Sequence, residues 1–183
     1  MIGFAGRRSG LRKARRLDRR LMLALVLALC LVVFYAVRYW YLPSYAPITG
    51  VARVIDGDTI QIAGYRIRLE GIDAPEWDQS CLDGKGRAWS CGREATLELT
   101  GLLRGRELTC KPQGLDRYRR VLAVCSLSDG ADINGWMVRQ GWAVISGYAS
   151  SYRSEQDEAK AGKRGIWAGT FDLPRDWRAR HAN

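Results

Sequence analysis

Histidine is almost missing from these 183 residues. The single one is His181, near the end of the chain, and no CxxC or CxxH spacing occurs. A tetrahedral zinc site therefore lacks its usual ligand spacing. No low-complexity tract and no internal repeat of roughly 20–50 residues is present, which argues against solenoids and propellers. The length also rules out a large α/β barrel. Disorder is excluded by the opposite reasoning, because 47% of the residues are hydrophobic and 10% aromatic. Acidic residues are scarce at the start, where Arg7, Arg8, Arg12, Lys13, Arg15, Arg16, Arg19 and Arg20 face only Asp18. The formal charge of +10 is concentrated there, since from residue 39 onward 20 basic residues meet 18 acidic ones. Net charge thus steers the remainder only weakly toward a polyanion, and binding would rest on local patches such as Arg66, Arg68, Arg117, Arg119 and Arg120.

Residues 1–20 read as a basic cytosolic tail. Leu21–Val37 carries no charge and reaches about 26 Å as a helix at roughly 1.5 Å per residue. Arg20 and Arg38 can snorkel to the two interfaces, and Tyr39, Trp40 and Tyr41 suit the headgroup layer. Residues 21–41 are therefore expected to be a single transmembrane anchor. Phe34-Tyr35-Ala36-Val37-Arg38 is bulky where a signal cleavage site wants small residues, which favours an uncleaved anchor. The positive-inside rule then leaves the N-terminus in the cytosol and residues 42–183 on the periplasmic side of a bacterial inner membrane. Outside the span lie Cys81, Cys91, Cys110 and Cys125, an even number, as an oxidising compartment allows. Four cysteines permit three pairings, and sequence does not fix which. The local closures Cys81–Cys91 and Cys110–Cys125 are favoured.

Residues 42–50 read as a linker, with two prolines and a closing glycine. Strand-like runs follow at 51–55, 59–62 and 65–70, separated by Asp56-Gly57 and Ala63-Gly64. A helix is expected over 92–103, strands over 107–111 and 121–127, a short helix capped by Asp132, and a last helix over 154–163. The fold class is α+β: a five-stranded OB-type β-barrel with about three helices over residues 51–170, preceded by the transmembrane helix and followed by a tail, 171–183.

Acidic residues gather where strands end. Asp56 and Asp58 bracket the first turn, and Asp73 and Glu76 follow the third strand. Asp-Gly is a strong hairpin signal in its own right. If the first three strands form a meander, however, Asp58 and Asp73 converge, and converging carboxylates call for a hard cation such as Ca²⁺ or Mg²⁺. Arg68 and Arg120 would add two guanidinium groups suited to a phosphoryl transition state, and Glu76 could act as general base on water.

Five segments in order resemble one family: Val54-Ile-Asp-Gly-Asp-Thr-Ile60, Ile67-Arg-Leu-Glu-Gly-Ile-Asp-Ala-Pro-Glu76, Asp116-Arg-Tyr-Arg-Arg-Val-Leu-Ala123, Asn134-Gly-Trp-Met-Val-Arg-Gln-Gly141 and Arg164-Gly-Ile-Trp167. They are similar to the signature segments of the staphylococcal-nuclease-like (thermonuclease) family. The resemblance implies an OB-fold enzyme that uses Ca²⁺ to hydrolyse DNA or RNA to 3′-phosphate products. It assigns Asp58, Asp73 and the Ala74 backbone carbonyl to the metal, Arg68, Glu76 and Arg120 to catalysis, and Arg117 and Tyr118 to the substrate. The expected form is a monomer. The alternative is a catalytically silent OB domain that binds nucleic acid or assists an envelope polymer-synthesis machine. Two departures stand out. Arg119 occupies a place where the family usually has glycine, pointing to a different backbone shape before Arg120. Gly147 stands in the place of an aromatic residue, with Tyr148 nearby.

Overall fold

A computed structural model of the chain describes residues 10–41, 46–147 and 151–181, with side chains described over 21–36, 46–147 and 151–181. Tyr148 lies outside the described residues. The chain divides into two units, Met1–Ser44 and Tyr45–Asn183.

The first unit contains helix α1 (Gly10–Tyr41). Its large apolar side chains between Leu21 and Tyr35 are 51–68% exposed. The stretch 21–36 is about 24 Å of helix. Among the described residues no helix is long and apolar enough to cross a membrane.

The second unit is built on a six-stranded sheet. Its strands are β1 (Ile48–Val51), β2 (Arg53–Val54), β3 (Thr59–Ile62), β4 (Tyr65–Leu69), β8 (Glu107–Leu115) and β9 (Val121–Leu127). The order is β1-β8-β9-β4-β3-β2. Only Ala52 separates β1 from β2, so the two edge strands of the sheet are one bent segment, and the sheet is a nearly closed barrel of five strands. The expected α+β, OB-type architecture is thus what the residues form. β2, β3 and β4 make the anticipated meander, with Thr59 opposite Arg68 and Ile60 opposite Ile67. β4 meets β9 in parallel. Strand pairing begins at Ile48, within the stretch read as linker. β8 runs on to Leu115 past a bulge at Pro112/Gly114, because a bulge lets a strand absorb an irregular residue and keep pairing.

Alternation does the packing. Ile60, Ile62, Ile67, Leu69, Leu108 and Ala123 point inward and are buried. Helix α2 (Cys91–Leu103) adds Ala95, Leu99 and Leu103 to the same core. In helix α3 (Ile133–Arg139) the Asp132 carboxylate accepts the Gly135 N–H, the expected N-cap, and Ile133 and Met137 are fully buried. Two short ladders flank the barrel: β5 (Ile72–Asp73) with β10 (Val144–Ile145), and β6 (Cys81–Leu82) with β7 (Ala88–Trp89). Both favoured disulfides are formed, Cys81–Cys91 and Cys110–Cys125. The second links directly opposed residues of β8 and β9.

Helix α4 (Arg153–Ala161) closely matches its expected range, and a 3₁₀ turn (Gly165–Ala168) follows. The segment read as a tail is a helix, α5 (Pro174–His181), which makes one helix more than the sequence led to. Proline at its first position suits a helix start, since the missing N–H would have no partner there anyway.

Candidate active site

The site assembles at one end of the meander. Asp58 ends the β2–β3 turn, where its N–H donates to Asp56 Oδ1 (3.0 Å). Asp56 therefore serves the turn, as its Asp-Gly context indicates. The Asp58 carbonyl accepts the Leu69 N–H (2.8 Å), which ties the turn to the end of β4. Asp73 sits on β5, opposite Val144 of β10. Convergence of the two carboxylates, expected from the meander, is realised: both residues are 5% exposed, and Arg68 bridges them. Its Nη1 lies 2.6 Å from Asp58 Oδ2 and its Nη2 2.7 Å from Asp73 Oδ1. Ala74 is close by, its N–H donating to Asp58 Oδ2 (3.3 Å).

The remaining residues join through a continuous chain of polar contacts. The Thr59 hydroxyl donates to Asp58 Oδ1 (3.0 Å), and Arg120 Nη1 donates to Thr59 Oγ1 (3.3 Å). Arg120 is held by Asp116, whose Oδ2 accepts from its Nε (2.7 Å) while Oδ1 accepts from its backbone N–H (2.8 Å). Burial alone would raise the Asp116 carboxyl, but the Arg120 hydrogen bonds outweigh it and hold the group below its usual range. Tyr118, 66% exposed, lies under the Arg117 guanidinium at 4.9 Å and the Arg120 guanidinium at 5.6 Å. An exposed ring flanked by cations suits base stacking and phosphate contact.

Arg119 has φ 63°, the left-handed region that glycine occupies freely. The turn between β8 and β9 closes with Arg119 N–H to Asp116 O and Asp116 N–H to Arg120 O, both 3.0 Å. Arginine therefore holds a backbone conformation that favours glycine and bears its strain, about 1–2 kcal/mol for a residue with a Cβ. Gly147 has no side chain to offer and is also left-handed, with φ 82°.

Arg178, like Thr59 and Asp116, was not anticipated as a member of the site. Arg178 of α5 contacts both oxygens of Asp73 at 3.0 Å and Glu76 Oε1 at 2.7 Å. Burial works against its charge, but the hydrogen bonds to Asp73 and Glu76 raise it above the usual arginine range. The signal available in the sequence was Pro174, a helix-start residue, with Arg178 one turn further along. Arg178 also lines a cleft of about 280 Å³ with Arg68, Asp73, Ile145, Leu173 and Arg175.

Glu76 is positioned by close backbone packing. Its carbonyl accepts the Gln79 N–H (2.8 Å), and its own N–H donates to Gln79 Oε1 (3.2 Å). Gln79, fully buried, also donates from Nε2 to the Asp172 carbonyl just before α5 (2.8 Å). The Gly92 backbone presses so tightly on this loop that an added Cβ would lie 1.6 Å from the Glu76 carbonyl oxygen.

Asp58, Asp73 and Glu76 offer only hard oxygen donors, the set that Ca²⁺ or Mg²⁺ selects. Among the described residues no group of three or more His, Cys, Asp or Glu stands ready to enclose a metal ion. Asp73 lines the open cleft and Arg68 joins it to the buried Asp58, an arrangement that suits a cation retaining water in its shell. Burial raises the Asp58 carboxyl above its ordinary range, Arg68 opposes that rise, and Asp56 and Asp73 add to it, so proton and cation compete there.

Residues 66–169 match the family model described as "Staphylococcal nuclease homologue". The chain belongs to the staphylococcal nuclease family. That match contains Arg68, Asp73, Glu76, Arg117, Tyr118 and Arg120, while Asp58 and Arg178 lie outside it. Among curated relatives, the succinoglycan biosynthesis protein ExoI of Rhizobium meliloti is 44% identical over 124 residues, covering 66% of this chain and 65% of that protein. The chain thus spans just under two thirds of that relative. An uncharacterized endonuclease of Escherichia coli is 35% identical over 141 residues, covering 72% and 83%. A micrococcal nuclease of Shigella flexneri is 30% identical over 161 residues, covering 78% and 86%.

Proposed function

We propose that the protein is a metal-dependent nuclease that hydrolyses phosphodiester bonds of DNA or RNA and leaves 3′-phosphate ends. The observation that carries this reading is the unbroken polar chain Arg120–Thr59–Asp58–Arg68–Asp73–Arg178–Glu76, which holds two guanidinium groups and a candidate base around two buried acids. Asp58 and Asp73, with the Ala74 carbonyl, would hold Ca²⁺, whose chemistry is to neutralise charge on the scissile phosphate. Glu76 takes a proton from water. The water oxygen bonds to phosphorus, the bond from phosphorus to the 5′ oxygen breaks, and the departing 5′ oxygen takes a proton from solvent water. Arg68 and Arg120 contact the equatorial oxygens as their charge grows, and Tyr118 and Arg117 hold the neighbouring base and phosphate. The names of the Escherichia coli and Shigella flexneri relatives support the same reading.

Residues 21–41 would anchor the enzyme in a bacterial inner membrane, with residues 42–183 periplasmic and monomeric. This is supported by the uncharged run Leu21–Val37 between Arg20 and Arg38, by the basic cluster before it, and by two disulfides, which persist in oxidising compartments. A second reading is favoured by one observation, the name of the Rhizobium meliloti relative: a domain that assists polymer synthesis at the envelope. The test between them is end-group analysis. An internally labelled oligonucleotide treated with the protein and Ca²⁺ should give fragments with phosphatase-sensitive 3′ ends. Fragments bearing 3′-hydroxyls would contradict the assigned chemistry, and intact oligonucleotide would favour the second reading.

A further inference from the structure

Three carboxylates, Asp58, Asp73 and Glu76, are joined through two guanidinium groups, Arg68 and Arg178, and their hydrogen bonds are unevenly shared. Asp73 Oδ1 accepts from Arg68 Nη2 (2.7 Å) and from Arg178 Nη1 (3.0 Å), and Asp73 Oδ2 accepts from Arg178 Nη2 (3.0 Å). A carboxylate oxygen has about two lone-pair positions, so Oδ1 is saturated and Oδ2 is half used. A cation that takes both oxygens of Asp73 must therefore displace a guanidinium, and one at Oδ2 alone would lie against the Arg178 Nη2 that already shares that oxygen. The two candidates differ in how firmly they are held. Arg68 has an 18% exposed side chain on β4 in the barrel wall, whereas that of Arg178 is 41% exposed on the last helix. The placement of Arg178 is nonetheless built into the fold. Gln79 fastens the segment before α5 to the Glu76 loop, and Leu82 and Thr170 exchange two backbone hydrogen bonds, at 2.9 and 3.0 Å.

We propose that Arg178 is a positioning residue and the resident counter-cation of the site, holding Asp73 and Glu76 together until a divalent cation takes Asp73 from it. One positive charge leaves the carboxylates with the guanidinium as two arrive with the metal. It rests on the nuclease reading only in supposing that a divalent cation belongs at Asp73. A merely structural arginine would make cation binding better when present or leave it unaffected. A resident counter-cation makes it weaker.

Isothermal titration of Ca²⁺ into the full chain in detergent distinguishes these. Arg178→Ala should bind Ca²⁺ about tenfold tighter than the wild type, the scale of one charge-assisted hydrogen bond to a partly exposed group. Arg178→Lys, which keeps the charge but not the forked contact, should fall between them. Arg180→Ala removes the same charge from a residue paired with Asp172 outside the site and should stay within about twofold. Equal or weaker binding by Arg178→Ala, equal tightening by Arg180→Ala, or no Ca²⁺ binding by any of the proteins would overturn the proposal. Should Arg178→Ala lose cooperative unfolding, Arg178→Lys decides, with about threefold tightening in favour and none against. Nuclease assays on the same preparations separate the two claims. Cleavage with unchanged affinities refutes the exchange alone, and shifted affinities without cleavage refute the nuclease reading alone.

Discussion

Replacing Gly92 by alanine should abolish most activity while leaving every polar site residue in the sequence. The new Cβ would lie 1.6 Å from the Glu76 carbonyl oxygen, 2.5 Å from its carbon and 3.2 Å from the Pro75 oxygen. Relief to an ordinary contact of about 3.2 Å or more requires a shift of roughly 1.5 Å between α2 and the Glu76 loop. That loop cannot yield freely. Cys91, the preceding residue, is disulfide-bonded to Cys81, and the Gly92 N–H donates to the Gln79 carbonyl (3.2 Å). A misplacement of about 1 Å is enough to cost on the order of 10²-fold in rate, so kcat/KM on single-stranded DNA should fall by at least that factor. Stability should fall by about 1–3 kcal/mol, the usual cost of overpacking, measured by urea unfolding. Gly101 in the same helix is the control, because nothing lies within 4 Å of its added Cβ. Gly101→Ala should stabilise by roughly 0.5–1 kcal/mol and leave the rate unchanged. A Gly92→Ala protein within threefold of wild-type kcat/KM would refute the placement of Glu76 by this contact.

Arg120→Ala should lower the rate on the order of 10²-fold or more if the guanidinium meets transition-state charge; an unchanged single-turnover rate would remove Arg120 from catalysis. Arg119→Gly should raise urea stability by about 1 kcal/mol by relieving its left-handed backbone, and no gain would show that the turn tolerates arginine without strain. Replacing Cys110 and Cys125 together by alanine should cost roughly 3 kcal/mol, as expected for a closure of 15 residues, and a loss near zero would place the bond's worth elsewhere.

Much of the site was legible before the fold was known, for a physical reason. Asp58 and Arg68 lie on one meander, where alternation and the Asp56-Gly57 turn set the register, and Asp73 and Glu76 follow its last strand within a few residues, so local sequence decides which carboxylates meet. The Asp116 hold on Arg120 was not read from the sequence, although it is a local relation of four residues across a tight turn. Arg178 was not legible, since it reaches Asp73 across 105 positions of sequence and depends on Gln79 and the Leu82–Thr170 pairing, which no periodicity reveals. Strand ends were blurred for similar reasons. Gly50 and Pro112 read as breakers, yet β1 and β8 continue through them, because edge pairing and a bulge accommodate what local propensity disfavours. Arg119 shows the converse, a residue whose own preference opposes the backbone its turn requires.

The central claim is that these residues hydrolyse nucleic acid with a divalent cation, and one gel measures it. A 5′-labelled single-stranded oligonucleotide is incubated with micromolar full-length protein in detergent, first with Ca²⁺ and then with excess EGTA. The account predicts shortening of the substrate that stops when EGTA is added. Full-length substrate throughout, or shortening indifferent to EGTA, would contradict it.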